Sequence, residues 1–505
     1  EEEEEEETPG SDKTDWVVAL ETDIVQFDPH QIGDATTSSV AGMIFEQLMA
    51  RNHDGEPIPC LAEDWEVSDD GMEWTFYLRE GVEFHDGSPF NAEVVEWHFG
   101  RGLTDESNFQ AQFSVIEEIE VVDDYTVTFH LEEPMAAFPD NVIMPNGGFI
   151  PSMKAFEEKE YEDFIMEPVG TGPWMWEEWV QGQRVELTKN TDWWDEQPNI
   201  DTLVYKIIPE ANTQVIELET GGVDLIIRAS EQDIERFEEN PDFNVVTKAA
   251  YRSRSYELNV EKFPFDDKRV REAVNWAIDM PTIVEAIAQP LAVPSDSLLP
   301  AAGWGYPGEG VLPSYGYDPD KARELLEEAG FTLNDDDIYE KDGEPLSITI
   351  TCPDNRYYMD KQMSEVVLNQ LGEVGIEADL KVMEWGAFLD EVRPGNFQMT
   401  FLGWNQSGAD PSLFLDAKVM TGGRGNYANH SDPELDEILV DAQQTTDIEE
   451  RQELYEEAQV IVNEHAWHVF VDNEALVWIF PENVKGFEPG PANQSDYWYS
   501  KLYFE

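Results

Sequence analysis

Apolar and polar positions follow two rhythms along this chain. Up to about residue 250 the rhythm is short and strand-like. WTFYLREGVEFHDG (74–87) and YTVTFHLEEP (125–134) gather β-branched and aromatic residues and end in turn formers. VELTKNTDWW (185–194) and DTLVYKIIPE (201–210) predict further strands. Between the first two, NAEVVEWHFGRG (91–102) predicts a helix, with Asn91 as cap and Gly100 or Gly102 as stop.

From about 260 helices and strands alternate. DDKRVREAVNWAIDMP (266–281) places Val270, Val274, Ala277 and Ile278 on one helical face, and Pro281 interrupts it. DPDKARELLEEAG (318–330) has Asp318 as cap, Pro319 in the first turn and Gly330 as stop. LSITITC (346–352), IEADLKVME (376–384) and FQMTFLGW (397–404) predict strands, and the segments after the first two, 360–375 and 385–395, predict helices. Two more helices are expected at 432–444 and 448–466, then a strand-like return, EALVWIFPENVKGFEP. Successive strand–helix–strand units imply an α/β fold with a largely parallel sheet. In such sheets ligands sit beyond the carboxyl ends of the strands. FLGWNQSGADPSLFL (401–415) leaves one of those ends, and CPDNRYYMDKQ (352–362) leaves another.

A chain of 505 residues exceeds one hydrophobic core and implies two to four domains. Charge changes the picture more: 109 Asp+Glu against 30 Lys+Arg gives −79. Phosphate backbones and anionic membranes would be repelled, so no nucleic-acid partner is expected. The acids are spread along the whole length, and their repulsion opposes compaction unless salt screens it. A hypersaline medium is the simplest account, since no calcium-loop pattern is present. Cys60 and Cys352 supply neither a disulfide framework nor a metal quartet. No apolar run reaches the ~18 residues of a membrane span. The chain opens on Glu1 rather than Met, as a processed or trimmed end would. Its first 14 residues, EEEEEEETPGSDKT, read as a disordered acidic linker. A surface protein stripped of its export signal and a trimmed cytosolic chain both fit this start.

Catalytic motifs are scarce. GWGYPG (303–308) matches G-x-G-x-x-G, but Pro307 lies inside it where a helix must begin, so it reads as a loop. His465 and His468 do not make a zinc site by themselves. With 109 acids, carboxylate neighbours arise by chance and do not argue for acid–base catalysis. No cofactor or metal is expected. Trp193–Trp194 and GPWMWEEWV (172–180) invite a sugar-stacking reading, with packing between lobes or subdomains as the favoured role.

Four ordered blocks resemble the extracellular solute-binding proteins of peptide- and nickel-type ABC importers. They are 61–95, 168–179 with 188–225, 259–285, and LGWNQSGADP with NYANHSDPELDEIL (426–439). The resemblance implies a two-lobed clamp of the periplasmic-binding type with an extra subdomain. Lobe I would comprise 15–42, 167–257 and 476–505, its extra subdomain 43–166, and lobe II 258–475. It also implies a monomeric, non-enzymatic receptor outside the cell, lipid-anchored through a segment absent from this chain. Such a receptor hands a small-molecule or peptide ligand from the interlobe cleft to permease subunits. In peptide-binding relatives an aspartate three residues beyond the tryptophan pairs with the ligand's ammonium. That position is Ser407 here, and Asp410 matches a second acid instead. The expected ligand residues are Trp404, Asn405, Ser407 and Asp410 in one loop, Arg356 and Tyr357 in the other, with Trp385 as a wall and Asn259 on the hinge strand. Arg356 suits either a ligand carboxylate or a neighbouring acid. Oligopeptides or similar organic solutes are the expected ligand class, with an oligosaccharide as the alternative and a polymer hydrolase as a remote one.

Overall fold

The computed structural model describes residues 13–52, 57–227, 229–301, 303–354, 356–406, 410–489 and 499–505. Twelve of the 14 expected linker residues, 1–12, lie outside them. The other two are engaged: Lys13 pairs with the buried Asp224, and the Thr14 carbonyl accepts from Asp201 N–H at 2.8 Å. The chain divides into two units, Glu1–Lys248 with Leu476–Glu505, and Ala249–Ala475. The strand Phe243–Leu258 runs unbroken across the unit limit at 248/249, and the expected lobe limit at 257/258 falls inside the same strand.

The first unit holds two four-stranded sheets. One has the order Asp15–Leu20, Thr202–Ile207, Arg184–Lys189, Trp174–Val180, parallel only at its first pair. The other is antiparallel, in the order Ala62–Val67, Glu73–Leu78, Thr126–Leu131, Ile116–Asp123. Its apolar face packs with the helix Ala92–Gly102 into a core drawn from residues between Leu48 and Ile150, with Phe76, Phe99 and Phe129 at the centre. The stretch 74–87 is strand only to Leu78. Beyond it Gly81, at φ 77°, turns the chain into a tight loop closed by Phe84 N–H to Ser88 O.

The second unit is built on a six-stranded sheet. Its order is Ala292–Pro294, His468–Pro481, Phe243–Leu258, Met399–Asn405, Ser347–Pro353, Glu377–Met383. The last three strands are parallel neighbours, and Phe243–Leu258 runs antiparallel to Met399–Asn405. Aspartates start the helices here, as suits so acidic a chain. Asp318 caps Pro319–Glu328, Asp432 caps Pro433–Gln444 and Asp447 caps Ile448–Glu464, each accepting from first-turn N–H groups. Val270, Val274, Ala277 and Ile278 are buried as a group, and the chain restarts at Met280–Ile287 with Pro281 in the first turn. Asp360–Glu373 packs on the face of Tyr256 and Phe401, and Trp385–Val392 contributes Phe388 and Val392 to a cluster with Leu402.

The 303–308 glycines have a packing explanation. A Cβ on Gly303 would lie 2.9 Å from Gln406 Oε1, and one on Gly305 (φ 89°) 2.7 Å from Pro411 Cγ. The next helix begins only at Pro319, so the loop lacks the helix that dinucleotide binding requires.

Candidate functional site

Three parallel strands end at Pro353, Met383 and Asn405, the last running on past the other two. Because these strands share a direction, the loops that follow converge at one end of the sheet, and that end carries most of the candidate residues. Arg356 is exposed and lies over Trp385, its guanidinium carbon 4.8 Å from the ring centre, and 6.0 Å from that of Tyr357. Tyr357 and Trp385 meet edge to face at 6.2 Å. The Tyr357 hydroxyl donates to Gly403 O at 3.1 Å. Its ring comes so near the strand that a Cβ at Gly403 would lie 2.8 Å from Tyr357 Cε1. Burial pushes the Tyr357 hydroxyl above its ordinary value, while the bond to Gly403 and the charges of Arg356 and Arg252 draw it back. Asp360 orders this loop by accepting from the N–H groups of Arg356 (3.0 Å) and Tyr357 (2.9 Å).

Sequence reasoning did not single out Arg252. It sits directly opposite Asn405 in the antiparallel pair, so both side chains project to one face. Arg252 Nε donates to Asn405 Oδ1 at 2.7 Å and Nη1 to Glu474 at 2.9 Å. Two residues on, Arg254 is fully buried and forms a fork with Asp472, both bonds at 2.6 Å, while Nη1 donates to Tyr358 O. The available signal was RSRS at 252–255: arginines at alternate positions of a strand put both cations on one face.

Strand alternation separates Trp404 from Asn405. Trp404 faces the other side, where its indole N–H lies 3.3 Å from Glu257 Oε1 and Lys418 Nζ is 4.6 Å from its ring centre. Glu257 and Lys418 form a buried ion pair, and burial lowers the Lys418 ammonium below its ordinary value. Gly425 is required beneath this ring, since a Cβ there would come within 2.5 Å of it. Asp410 is buried in a network of its own: Oδ1 accepts from Ser412 N–H and the Tyr455 hydroxyl, and Oδ2 lies 3.2 Å from Arg451. Asn259 belongs to the opposite end of the sheet, beyond the Leu258–Met399 pair, where its amide donates to Gly395 O and accepts from Glu261 N–H. Ser407 lies outside the described residues. The structure thus groups Arg356, Tyr357, Trp385 and Asn405, adds Arg252, and sets Asn259 apart.

The tryptophan pair of the first unit holds a buried carboxylate. Trp193 and Trp194 both donate indole N–H groups to Glu46, at 3.2 and 2.9–3.0 Å, and Arg79 covers Trp194. Among the described residues no cluster of three His, Cys, Asp or Glu is arranged to hold a metal. His465 bonds Asp432 at 2.9 Å, whereas His468 is buried and kept neutral by burial. Among the described residues no helix is long and apolar enough to cross a membrane.

Residues 56–426 match the family described as bacterial extracellular solute-binding proteins, family 5, middle. The chain belongs to that family. It is 28% identical over 507 residues to the dipeptide-binding protein of Escherichia coli K12, covering 93% of this chain and 91% of that protein. It is 30% identical over 489 residues to the glutathione-binding protein GsiB of Salmonella typhi, covering 94% and 91%. HbpA2 from Haemophilus parasuis shares the fold at a TM-score of 0.87 and 25% identity, covering 97% of this chain and all of that one. The fold is therefore the mixed α/β fold of the two-lobed periplasmic binding proteins. Members of this family are substrate-binding proteins of transport systems rather than enzymes.

Proposed function

We propose that this protein is the solute receptor of an ABC importer, that it captures peptides or chemically similar small organic solutes, and that it passes them to permease subunits. The observation that carries this reading is the convergence of Arg356, Tyr357, Trp385, Asn405 and Arg252 at the carboxyl ends of the parallel strands. A guanidinium beside aromatic walls and an exposed amide suits a short chain with a carboxylate and peptide-like polar groups. The named specificities of the relatives, dipeptides and glutathione, support peptide-type solutes over oligosaccharides. The sugar reading also loses one of its two aromatic groups, because Trp193 and Trp194 are committed to Glu46.

The same reading puts the protein outside the cell, as a monomer held at the membrane by lipid. It assigns 15–42, 167–257 and 476–505 to lobe I, 43–166 to its extra subdomain and 258–475 to lobe II. Mass spectrometry of solute that co-purifies with the protein, followed by titration of that solute in molar salt, is the direct test. The expected outcome is stoichiometric, saturable binding of a peptide-like compound without turnover. Conversion of the compound into product would sink the reading. So would retention of affinity in a combined Arg356→Gln, Trp385→Ala variant.

A further inference from the structure

Several described carboxylates near this end of the sheet are already engaged by the protein. Asp472 is held by Arg254, Asp410 by Arg451 and Tyr455, and Glu474 by Arg252. Asp360 and Glu384 accept from backbone N–H groups. The two surface guanidiniums are in a different position. Arg356 meets no carboxylate within ion-pair distance among the described residues, although acids outnumber cations more than threefold in this chain. Arg252 is held through Nε by Asn405 and through Nη1 by Glu474, while its side chain stays 32% exposed. Its Nη2 meets no acceptor among the described residues. Tyr357 links the two cations. Its ring lies under Arg356, and its hydroxyl bonds Gly403, two residues before the Asn405 that holds Arg252.

We propose that Arg252 is a specificity-determining residue: with Arg356 it forms a two-guanidinium clamp across Tyr357 for a solute that carries a carboxylate and no free ammonium. This rests on the solute-receptor reading above. Guanidinium groups present paired N–H donors that match carboxylate oxygens, and a guanidinium held by two protein partners loses little freedom when it binds. An ammonium brought to the same surface would need a counter-charge, and Asp472, Glu474 and Asp410 are each paired with a cation of the protein. The solute class is thus an organic monoanion of peptide-like shape, with its amino end acylated or absent.

Three probes of one shape separate the possibilities: N-acetyl-dialanine, its C-terminal amide, and dialanine with both ends free. Titration calorimetry in molar salt is expected to rank the acetylated acid first, about tenfold tighter than either other probe. Arg252→Gln should erase most of the acid-over-amide preference. Arg252→Lys, which keeps the charge but not the fork, should restore part of it. Dialanine binding as tightly as its acetylated form overturns the proposal. Loss of acid and amide binding in equal measure in Arg252→Gln also overturns it, because Arg252 would then act only as a packing element. If none of the three binds, the proposal fails. In that case binding of a mixed free-amine peptide library would leave the receptor reading standing without it.

Discussion

Burial pushes the Asp416 carboxyl up to about 7, with Asp410 adding to the rise and the hydrogen bond from Gln443 working against it. Its folded value lies above its unfolded one, so the native state holds the extra proton and stability falls as pH rises from about 4 to about 7. Above that window the loss is complete. Asp416→Asn should therefore be more stable than the wild type at pH 8, by roughly 2 kcal/mol after allowance for partial solvation, and nearly equal to it at pH 4. Denaturant titrations at the two pH values check the sign. Glu46 is a buried acceptor shared by two indole donors. Glu46→Gln turns an N–H₂ toward one of those donors and should cost about 1.5–3 kcal/mol, read as a lower midpoint in guanidinium unfolding followed by tryptophan fluorescence. Sequence alone pointed to the aromatic pair but not to its partner, because Glu46 lies about 150 positions away and resembles the other acids. Asn259 illustrates the same limit. Its place at the end of a strand was legible, but which end of the sheet that strand brings it to depends on the antiparallel pairing with Met399–Asn405.

At the scale of elements, the helices and strands after residue 260 were largely legible. Capping aspartates, first-turn prolines and terminal glycines mark their limits through local hydrogen bonding, which needs no tertiary partner. Phe243–Leu258 was harder to read because polar and charged residues interrupt its apolar pattern, and those residues are satisfied only across the sheet. Register is what joins this strand to the site. Gly403 stands opposite Arg254 with Tyr357 pressed against it, so Gly403→Ala requires the ring and the Arg254 stem to move. The expected loss is about 1–3 kcal/mol of stability by thermal unfolding. Affinity should fall as well, because Tyr357 also carries the contact to Arg356.

For the whole molecule, a charge of −79 is the controlling property. Most of the described ion pairs involve exposed or half-exposed groups, which contribute little each. The remaining repulsion should be relieved only by screening. Circular dichroism is expected to show a folded protein in molar salt and progressive unfolding as salt falls to ~0.1 M. An unchanged spectrum across that range would remove the hypersaline account. Composition, periodicity and four family blocks sufficed for the charge problem, the α/β class and the transport family, since each is a property of residue types and their order. The sequence also placed the two candidate loops at one sheet end, because parallel strands joined by helices deliver their loops to one side. Tertiary structure alone decided which side chains meet there. Alternation turned Trp404 to the other face from Asn405, Asp410 was drawn into a bond with Arg451, and Arg252 was paired with Asn405. These contacts join residues 41 to 153 positions apart, and only the packed sheet sets which of many similar charges meet.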